Sequence, residues 1–343
     1  MSSPMVSVVI CEHNTPLDFL NQAIASVVEQ TYTNFEIIFV DDETTTDYCS
    51  LSVFSDERIK VIKNSRNIGL AASRNVGIQN SSGKYIAIMD TDDICMPERF
   101  AKQVEFLENN QDVVVCGTWF QMFGDKNEIV KRVIDDNEYY RCCLLFGNVP
   151  TIINPSTMIR KDVLVRHNVC LDESLTSAED YDLWVSLSNF GIITNLKEVL
   201  LKYRIRKDQM SERFRTYDLS DNGWKIFKKQ LLKIGYECNE ENERFLRMNF
   251  LRKEVNPYKY FKFLMEILKL NETSKIYDQQ KLEKRVFVQW RSKIYSIKNP
   301  FKILALLIKL PFKQKRFLIK TEFGRLNRKK MKQNKAGEVQ VCE

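Results

Sequence analysis

The first hundred residues of this 343-residue chain alternate between short apolar runs and longer stretches with helical spacing. The runs at 6–10, 35–40 and 85–89 are rich in β-branched and aromatic residues, which is typical of buried strands. Between the first two, residues 17–29 place apolar side chains at helical intervals. The same criteria predict shorter strands at 59–62 and 113–116 and helices at 69–79, 99–108 and 183–189. Such alternation predicts an α/β fold with a mostly parallel sheet and helices on both faces.

Two of the predicted strands end directly on acidic residues. The pair at 41–42 follows the run 35–40, and the cluster Asp-Thr-Asp-Asp at 90–93 follows the run 85–89. Like charges this close repel one another, and a divalent cation is the simplest partner because hard cations take oxygen ligands. Ligands of such sheets bind beyond the carboxyl ends of the strands, so both acidic ends are expected to share one crevice. A loop of solvated acids explains the cluster equally well at this point.

Composition places the chain among ordinary globular proteins. A hydrophobic fraction of 44% supplies a sizeable core. The nine cysteines form no CxxC pair, which indicates reduced thiols in a cytoplasmic protein rather than a zinc site or a disulfide framework. The N-terminus leads straight into the first strand without a basic segment, so no signal peptide is expected. No apolar run reaches the roughly 18 residues of a membrane-spanning helix.

The net charge of +7 hides a strong asymmetry along the chain. Residues 1–213 carry 21 Lys and Arg against 31 Asp and Glu, whereas the remainder carries 31 against 14. Residues 293–335 alone hold 14 basic residues and one acid, interleaved with apolar residues at helical spacing. A basic amphipathic helix favours docking on an anionic membrane surface, at about 1 kcal/mol per exposed Lys or Arg. Nucleic-acid binding and a merely solvated terminus are the alternatives, and the apolar residues favour the membrane.

Seven motifs along residues 5–213 resemble, in their order, the inverting glycosyltransferases of family 2, which have the GT-A fold. They are the run 6–10 with Asn14, the segments 26–32 and 35–42, the segment 67–71 with Arg74-Asn75, the cluster 90–93, the segment 179–184, and Tyr203-Arg204 with Gln209 and Ser211. Each motif is weak alone, whereas the ordered set is specific. With the helical, aromatic-rich pattern after residue 214, the resemblance predicts a Rossmann-like GT-A domain at 1–213, a helical extension at 214–292 and a basic tail at 293–343.

The resemblance implies a nucleoside site at the first two strand ends. Asp42 would accept a hydrogen bond from the uracil ring N–H, which a carboxylate suits as a fixed acceptor. His13 stands where a tyrosine commonly stacks on uracil, and an imidazole face can also stack on a base. Cys11 and Glu43 stand where a proline and a glycine are usual in the family, and both departures bear on which nucleobase the site prefers.

The resemblance also implies contacts to the rest of the donor. Asn67, Arg74 and Asn75 flank a glycine turn into a helix, where backbone amides and a guanidinium suit phosphates or ribose. Asp90 would face the ribose or the sugar. An ordinary helix N-terminus with surface polar groups remains the alternative for this segment.

Two further roles follow from the resemblance. Asp92, with Asp93 second, would bind Mn²⁺ or Mg²⁺, which bridges the diphosphate as a Lewis acid. Arg206 stands where many relatives place a metal-binding histidine, and its own charge could face the diphosphate instead. Asp180 would act as the base that deprotonates the acceptor hydroxyl, with Glu179 as the alternative.

Together these features predict an inverting transferase that moves a hexose or N-acetylhexosamine from a UDP-sugar to a lipid-linked glycan. The resemblance places it in bacterial O-antigen (lipopolysaccharide) or capsule assembly, in the cytoplasm and peripheral at the inner face of the plasma membrane. A sugar-phosphate nucleotidyltransferase would need a Gly-rich basic loop, which residues 11–18 lack. A non-catalytic or nucleic-acid-binding protein that uses the basic tail is the other alternative.

Overall fold

A computed structural model describes residues 3–147, 152–206, 218–250 and 256–295. The chain divides into two compact units, residues 1–232 and 233–343. All candidate site residues lie in the first unit, and the predicted basic tail falls almost entirely outside the described residues.

The first unit contains one nine-stranded sheet. Its strands are β1 (Val6–Glu12), β2 (Phe35–Asp41), β3 (Ile59–Lys63), β4 (Tyr85–Met89), β5 (Ile94–Cys95), β6 (Val113–Gly124), β7 (Glu128–Val130), β8 (Met158–Arg160) and β9 (Ile192–Ile205). They follow one another in the order β3-β2-β1-β4-β8-β6-β9-β5, and β7 pairs with β6. The first four in that order are mutually parallel, whereas β8 runs antiparallel to both of its neighbours.

Helices cover both faces of this sheet. The α-helices of the described residues are α1 (Leu17–Val28), α2 (Leu70–Gln79), α3 (Arg99–Asn109), α4 (Asn137–Leu144), α5 (Lys161–Arg166), α6 (Glu179–Leu187), α7 (Asp218–Ile234), α8 (Glu240–Phe250), α9 (Pro257–Ser274) and α10 (Gln279–Tyr295). Apolar residues of α1 and α3 pack on one face of the sheet, and those of α2, α4, α5 and α6 pack on the other. Alternate residues of β1 and β4 contribute to the two clusters, as the two-residue period of a strand requires.

The predicted α/β fold is confirmed, with two differences in detail. The strand predicted at 113–116 runs on to Gly124, because it pairs along its whole length with the 14-residue strand β9. The strands β5, β7 and β8 run antiparallel to their neighbours, whereas β6 and β9 are parallel to each other and share the direction of β1 to β4, so the sheet is mostly parallel with three antiparallel strands. The carboxyl ends of β1, β2 and β4 therefore meet at one edge, as the acidic residues there had indicated.

Close packing of α2 on β1 fixes where the helix begins. At Gly77 a Cβ atom would lie only 2.5 Å from Cγ1 of Val9, so only glycine allows this approach. The N-terminus of α2 is thereby held beside the ends of β1 and β2. The turn before it uses Gly69 with a φ of 87°, a left-handed conformation that glycine adopts without strain.

The second unit consists, in its described residues, of the end of α7 and of helices α8, α9 and α10. Its buried residues include Leu264, Ile267 and Trp290, and the Phe261 ring packs 5.0 Å from the Trp290 ring. A helical extension was predicted here, and its exact bounds stay a prediction. Among the described helices, none combines the length and the apolar character that crossing a membrane requires.

Candidate active site

The nucleoside end of the site lies where β1 and β2 finish. His13 follows β1 and is exposed, and its Nδ1 lies 2.8 Å from the carbonyl oxygen of Asp42. The Asn67 amide approaches the same ring, with Nδ2 at 3.0 Å from Nε2. With Nδ1 protonated, the imidazole donates to Asp42 and accepts from Asn67. These contacts orient the ring, and the His13 side chain stays exposed.

The Asp42 carboxylate organises the loop that leads into α2. It accepts hydrogen bonds from Asn64 Nδ2 and Ile68 N at 2.9 Å and from Gly69 N at 3.0 Å. Burial opposes ionisation of Asp42, but these bonds and one from Ser73 outweigh it and lower the pKa. Four donors account for about all the lone pairs of a carboxylate. Contact with a nucleobase would therefore require one of them to be exchanged.

Removing the Asp42 carboxylate is expected to loosen this loop. An Asp42→Ala substitution leaves several donors without a partner, and we expect the free energy of unfolding to fall by about 2–4 kcal/mol. Asp42→Asn, whose amide oxygen still accepts, should lose less. Urea denaturation measures both, with Glu57→Ala as the control for an acid on the exposed surface. Equal stability of Asp42→Ala and the parent protein would contradict this role.

Three non-glycine residues around the site have left-handed backbone conformations. Asn14 and Glu43 follow β1 and β2 with φ of 59° and 58°, and Ala178 precedes α6 with φ of 62°. Such residues cost about 1–3 kcal/mol each and cluster at functional sites. Glu43 takes this conformation although it carries a Cβ, and its carboxylate accepts from the Asn67 N–H at 2.9 Å. The departure from the usual glycine thus adds a contact to the same loop.

Arg74 on α2 links the end of β4 to the start of α6. The guanidinium is 4% exposed and donates from Nη2 to Asp90 at 2.9 Å and from Nη1 to Glu179 at 2.7 Å. With its amide turned to satisfy both groups, Asn154 accepts from Nη1 at 2.8 Å. Arg74 thereby joins two acidic clusters that lie 89 residues apart in the chain. The sequence predicted a phosphate or ribose contact here, and the guanidinium is instead committed to two carboxylates.

Asp180 lies in the first turn of α6, next to this ion-pair network. It is partly exposed, and its Oδ1 accepts from the Tyr181 N–H at 2.7 Å. Burial, together with the neighbouring Glu179 and Asp90, raises the pKa of Asp180 to about 6, although Arg74 acts in the opposite direction. A partly exposed carboxylate with a raised pKa, next to an ion-pair network, has the properties of a general base. Glu179, in contrast, is occupied by Arg74.

The predicted metal ligands Asp92 and Asp93 face different ways. Asp93 is fully buried, and its Oδ1 accepts from the Arg204 N–H at 2.8 Å. Burial and the charges of Asp90 and Asp92 raise its pKa well above the usual value. Asp92 is more accessible, and its Oδ2 lies 3.4 Å from Nη2 of Arg206. Burial and Asp90 raise the pKa of Asp92 to about 6, while Arg206 opposes them.

These residues do not assemble the cation site that the resemblance implied. Oδ1 of Asp93 accepts from the Arg204 N–H while its buried Oδ2 has no hydrogen-bond partner among the described residues, and Asp92 would have to leave its pair with Arg206. In the ranges that the structure describes, no three His, Cys, Asp or Glu side chains converge so that they could hold a metal ion. The roles of Asp92 and Asp93 as ligands of Mn²⁺ or Mg²⁺ stay predictions.

Asn75, expected beside the nucleotide, points away from the strand ends. Its Nδ2 donates to the Leu171 carbonyl and to Glu173, both at 2.9 Å, and its Oδ1 accepts from the Leu171 N–H at 3.0 Å. The side chain is 5% exposed. Asn75 therefore anchors the segment before α6 to α2, and we leave it out of the proposed donor contacts.

Several residues that shape the site had no role assigned to them from the sequence, although Arg204 belongs to the Tyr203-Arg204 motif. Glu12 ends β1 fully buried, its Oε1 accepting from the Thr15 N–H at 2.7 Å; burial raises its pKa against that bond. Asn64 follows β3 and Arg204 lies on β9. The position of Asn64 directly after a strand was a usable signal, whereas the bond from Arg204 to Asp93 spans 111 residues and has no local signature.

Comparisons with known proteins agree with this geometry. The sequence matches the model of glycosyl transferase family 2 over residues 7–167. It is 34% identical to an uncharacterised glycosyltransferase of Methanocaldococcus jannaschii, covering 60% of this chain and 72% of that protein. It is 26% identical to the amylovoran biosynthesis glycosyltransferase AmsE of Erwinia amylovora, covering 76% of this chain and 98% of AmsE. The fold is similar to that of S. aureus TarS residues 1–349, solved with UDP-GlcNAc, with a TM-score of 0.56 at 15% identity over 83% of each chain.

The sheet, its acidic strand ends and the acidic start of α6 define a GT-A glycosyltransferase domain followed by helices. The chain belongs to glycosyltransferase family 2. The predicted family, fold class and general activity are thus confirmed, while the donor, the acceptor and the individual residue roles are matters for proposal.

Proposed function

We propose that this protein is an inverting glycosyltransferase that moves a hexose or N-acetylhexosamine from a UDP-sugar to a glycan acceptor. The observation that carries the proposal is the pair of bonds made by Arg74, 2.9 Å to Asp90 and 2.7 Å to Glu179. Through these two bonds, a single guanidinium connects the end of β4, where a donor is proposed to bind, to the start of α6, which carries Asp180. The proposed donor site and the proposed base are therefore close together.

In the proposed reaction Asp180 takes the proton of the acceptor hydroxyl. The hydroxyl oxygen then bonds to the anomeric carbon on the face opposite the diphosphate, and the bond from that carbon to the phosphate oxygen breaks. UDP leaves with the electron pair of that bond. The configuration at the anomeric carbon is therefore inverted, and no covalent enzyme intermediate forms. The raised pKa of Asp180 suits this task, because a carboxylate with a pKa of about 6 accepts a proton readily yet is ionised at neutral pH.

The proposal of a uridine nucleotide draws on the first strand ends. The exposed His13 ring is held by the Asp42 carbonyl and by Asn67, and an imidazole oriented in this way suits stacking on a nucleobase. Asp42 is proposed to accept from the uracil N–H in exchange for one of its present donors. The similarity to TarS, whose structure contains UDP-GlcNAc, supports the same class of donor.

The acceptor is proposed to be a lipid-linked saccharide in the assembly of a surface polysaccharide such as O-antigen or capsule. The similarity to AmsE, named for amylovoran biosynthesis, supports a role in polymer assembly. Docking of the basic tail at 293–343 on the inner face of the plasma membrane is part of the same proposal. It would bring the enzyme to a lipid-borne substrate.

Titration calorimetry with UDP, GDP and CMP, followed by a panel of UDP-sugars, tests the donor class. We expect UDP to bind at least about tenfold more tightly than GDP. The exposed His13 ring and the Asp42 carboxylate suit a small pyrimidine that carries an N–H donor. One UDP-sugar should then be hydrolysed slowly without an acceptor, and the released sugar should show inverted anomeric configuration by NMR. Preferential binding of GDP or CMP would overturn the uridine assignment, and retained configuration would overturn the inverting mechanism.

A further inference from the structure

Arg206 lies one residue beyond β9, beside the acidic cluster at 90–93. Its guanidinium lies 3.4 Å from Oδ2 of Asp92, and the two side chains are 25% and 17% exposed. The pairing of β5 with β9 brings this end of β9 beside the acidic cluster. Arg206 thus presents a positive charge beside the acidic cluster at the end of β4.

Neighbouring residues hold that charge in place. Arg206 lies over the Phe19 ring at 5.2 Å, and the same ring contacts Arg204 at 4.1 Å. Arg204 is clamped from its other side by Phe123 at 4.4 Å and donates to the Asp92 carbonyl at 2.7 Å. A planar guanidinium that is already stacked loses little further freedom when it binds an anion.

Two carboxylates of the acidic cluster already pair with an arginine side chain, whereas the third, Asp93, has one buried oxygen, Oδ2, without a hydrogen-bond partner among the described residues. Asp90 pairs with Arg74, Asp92 pairs with Arg206, and Asp93 accepts from the backbone of Arg204. Sites for divalent cations concentrate carboxylate charge that the ion then balances. Here two guanidinium groups already balance the charges of Asp90 and Asp92, and a cation at Asp92 would have to displace Arg206.

We propose that Arg206 binds the donor diphosphate in place of a divalent cation, so that nucleotide binding does not require a metal. When the diphosphate arrives, the guanidinium exchanges Asp92 for two phosphate oxygens, for which its fork geometry is well suited. The proposal rests on the proposed function in one respect, namely that the donor is a nucleoside diphosphate sugar.

Titration calorimetry with UDP and with uridine, each in EDTA and in Mn²⁺, tests this inference. For the parent protein we expect the Kd of UDP to differ by less than about threefold between the two conditions. Arg206→Ala should weaken UDP binding by about 10- to 100-fold in both, the loss of one charge-assisted interaction, and leave uridine binding unchanged. Arg166→Ala, which removes an arginine 66% exposed on α5, is the matched control and should change neither.

The variant Arg206→His tests the same inference through the gain of a property, namely metal-dependent binding of UDP. It replaces the guanidinium by a ligand for transition metals, so UDP affinity should become dependent on Mn²⁺. The inference is overturned if the parent protein binds UDP only with Mn²⁺, or if Arg206→Ala binds UDP normally in EDTA. Failure of UDP to bind the parent protein under both conditions would instead refute the proposed donor, so the two proposals fail separately.

Discussion

Asp180→Asn is expected to lower the rate of sugar transfer about a thousandfold while UDP affinity changes by less than about threefold. The amide keeps the shape of the side chain and its bond from the Tyr181 N–H, but it cannot take a proton at neutral pH. Only the chemical step should therefore suffer. Release of UDP in the presence of acceptor measures turnover, and calorimetry measures binding.

Glu179→Gln separates the two candidate bases. Its amide oxygen can still accept from Arg74, so we expect a loss of less than about tenfold if Asp180 is the base. The parent enzyme should also lose activity as the pH falls through about 6, because the base must be ionised. A larger defect in Glu179→Gln than in Asp180→Asn would transfer the role to Glu179.

The elements around the site could be predicted from the sequence because their signals are local. The run 85–89 is apolar throughout and ends on acids, and the structure places β4 at the same residues, Tyr85–Met89. The sequence also predicted that the acidic strand ends lie close together, because parallel strands that alternate with helices end at one edge of the sheet. What each acid faces could not be predicted from local signals.

Asp92 and Asp93 illustrate that limit. They are neighbours of identical chemistry, yet the turn after β4 sends one side chain toward Arg206 and buries the other against the chain at Arg204. Arg204 lies on β9 and Arg206 directly after it, more than a hundred residues away, so no spacing rule could separate the two acids. The direction of a side chain in a turn depends on tertiary pairing, which here is the antiparallel contact of β5 with β9.

Arg74→Met is expected to have the largest effect on stability. It would leave Asp90 and Glu179 without their common partner, and removing one member of a buried ion pair costs about 3–5 kcal/mol. Arg74→Lys keeps the charge and should lose less. Arg160→Lys is a matched control, because Arg160 is also buried but donates to the backbone carbonyls of Val113 and Asn110 rather than to acids.

The pH dependence distinguishes an arginine that positions the base from one that only stabilises the fold. The charge of Arg74 lowers the pKa of Asp180, so its removal should raise that pKa further above 6. The acid limb of the kcat profile should then move to higher pH in Arg74→Met, and it should stay in place in Arg74→Lys, which keeps the charge, and in Arg160→Lys. The stability difference between Arg74→Met and the parent should shrink as pH falls, because protonation removes the charge left unpaired. An unchanged profile together with weaker UDP binding would instead mean that Arg74 contacts the nucleotide, as its place in the sequence motif first indicated.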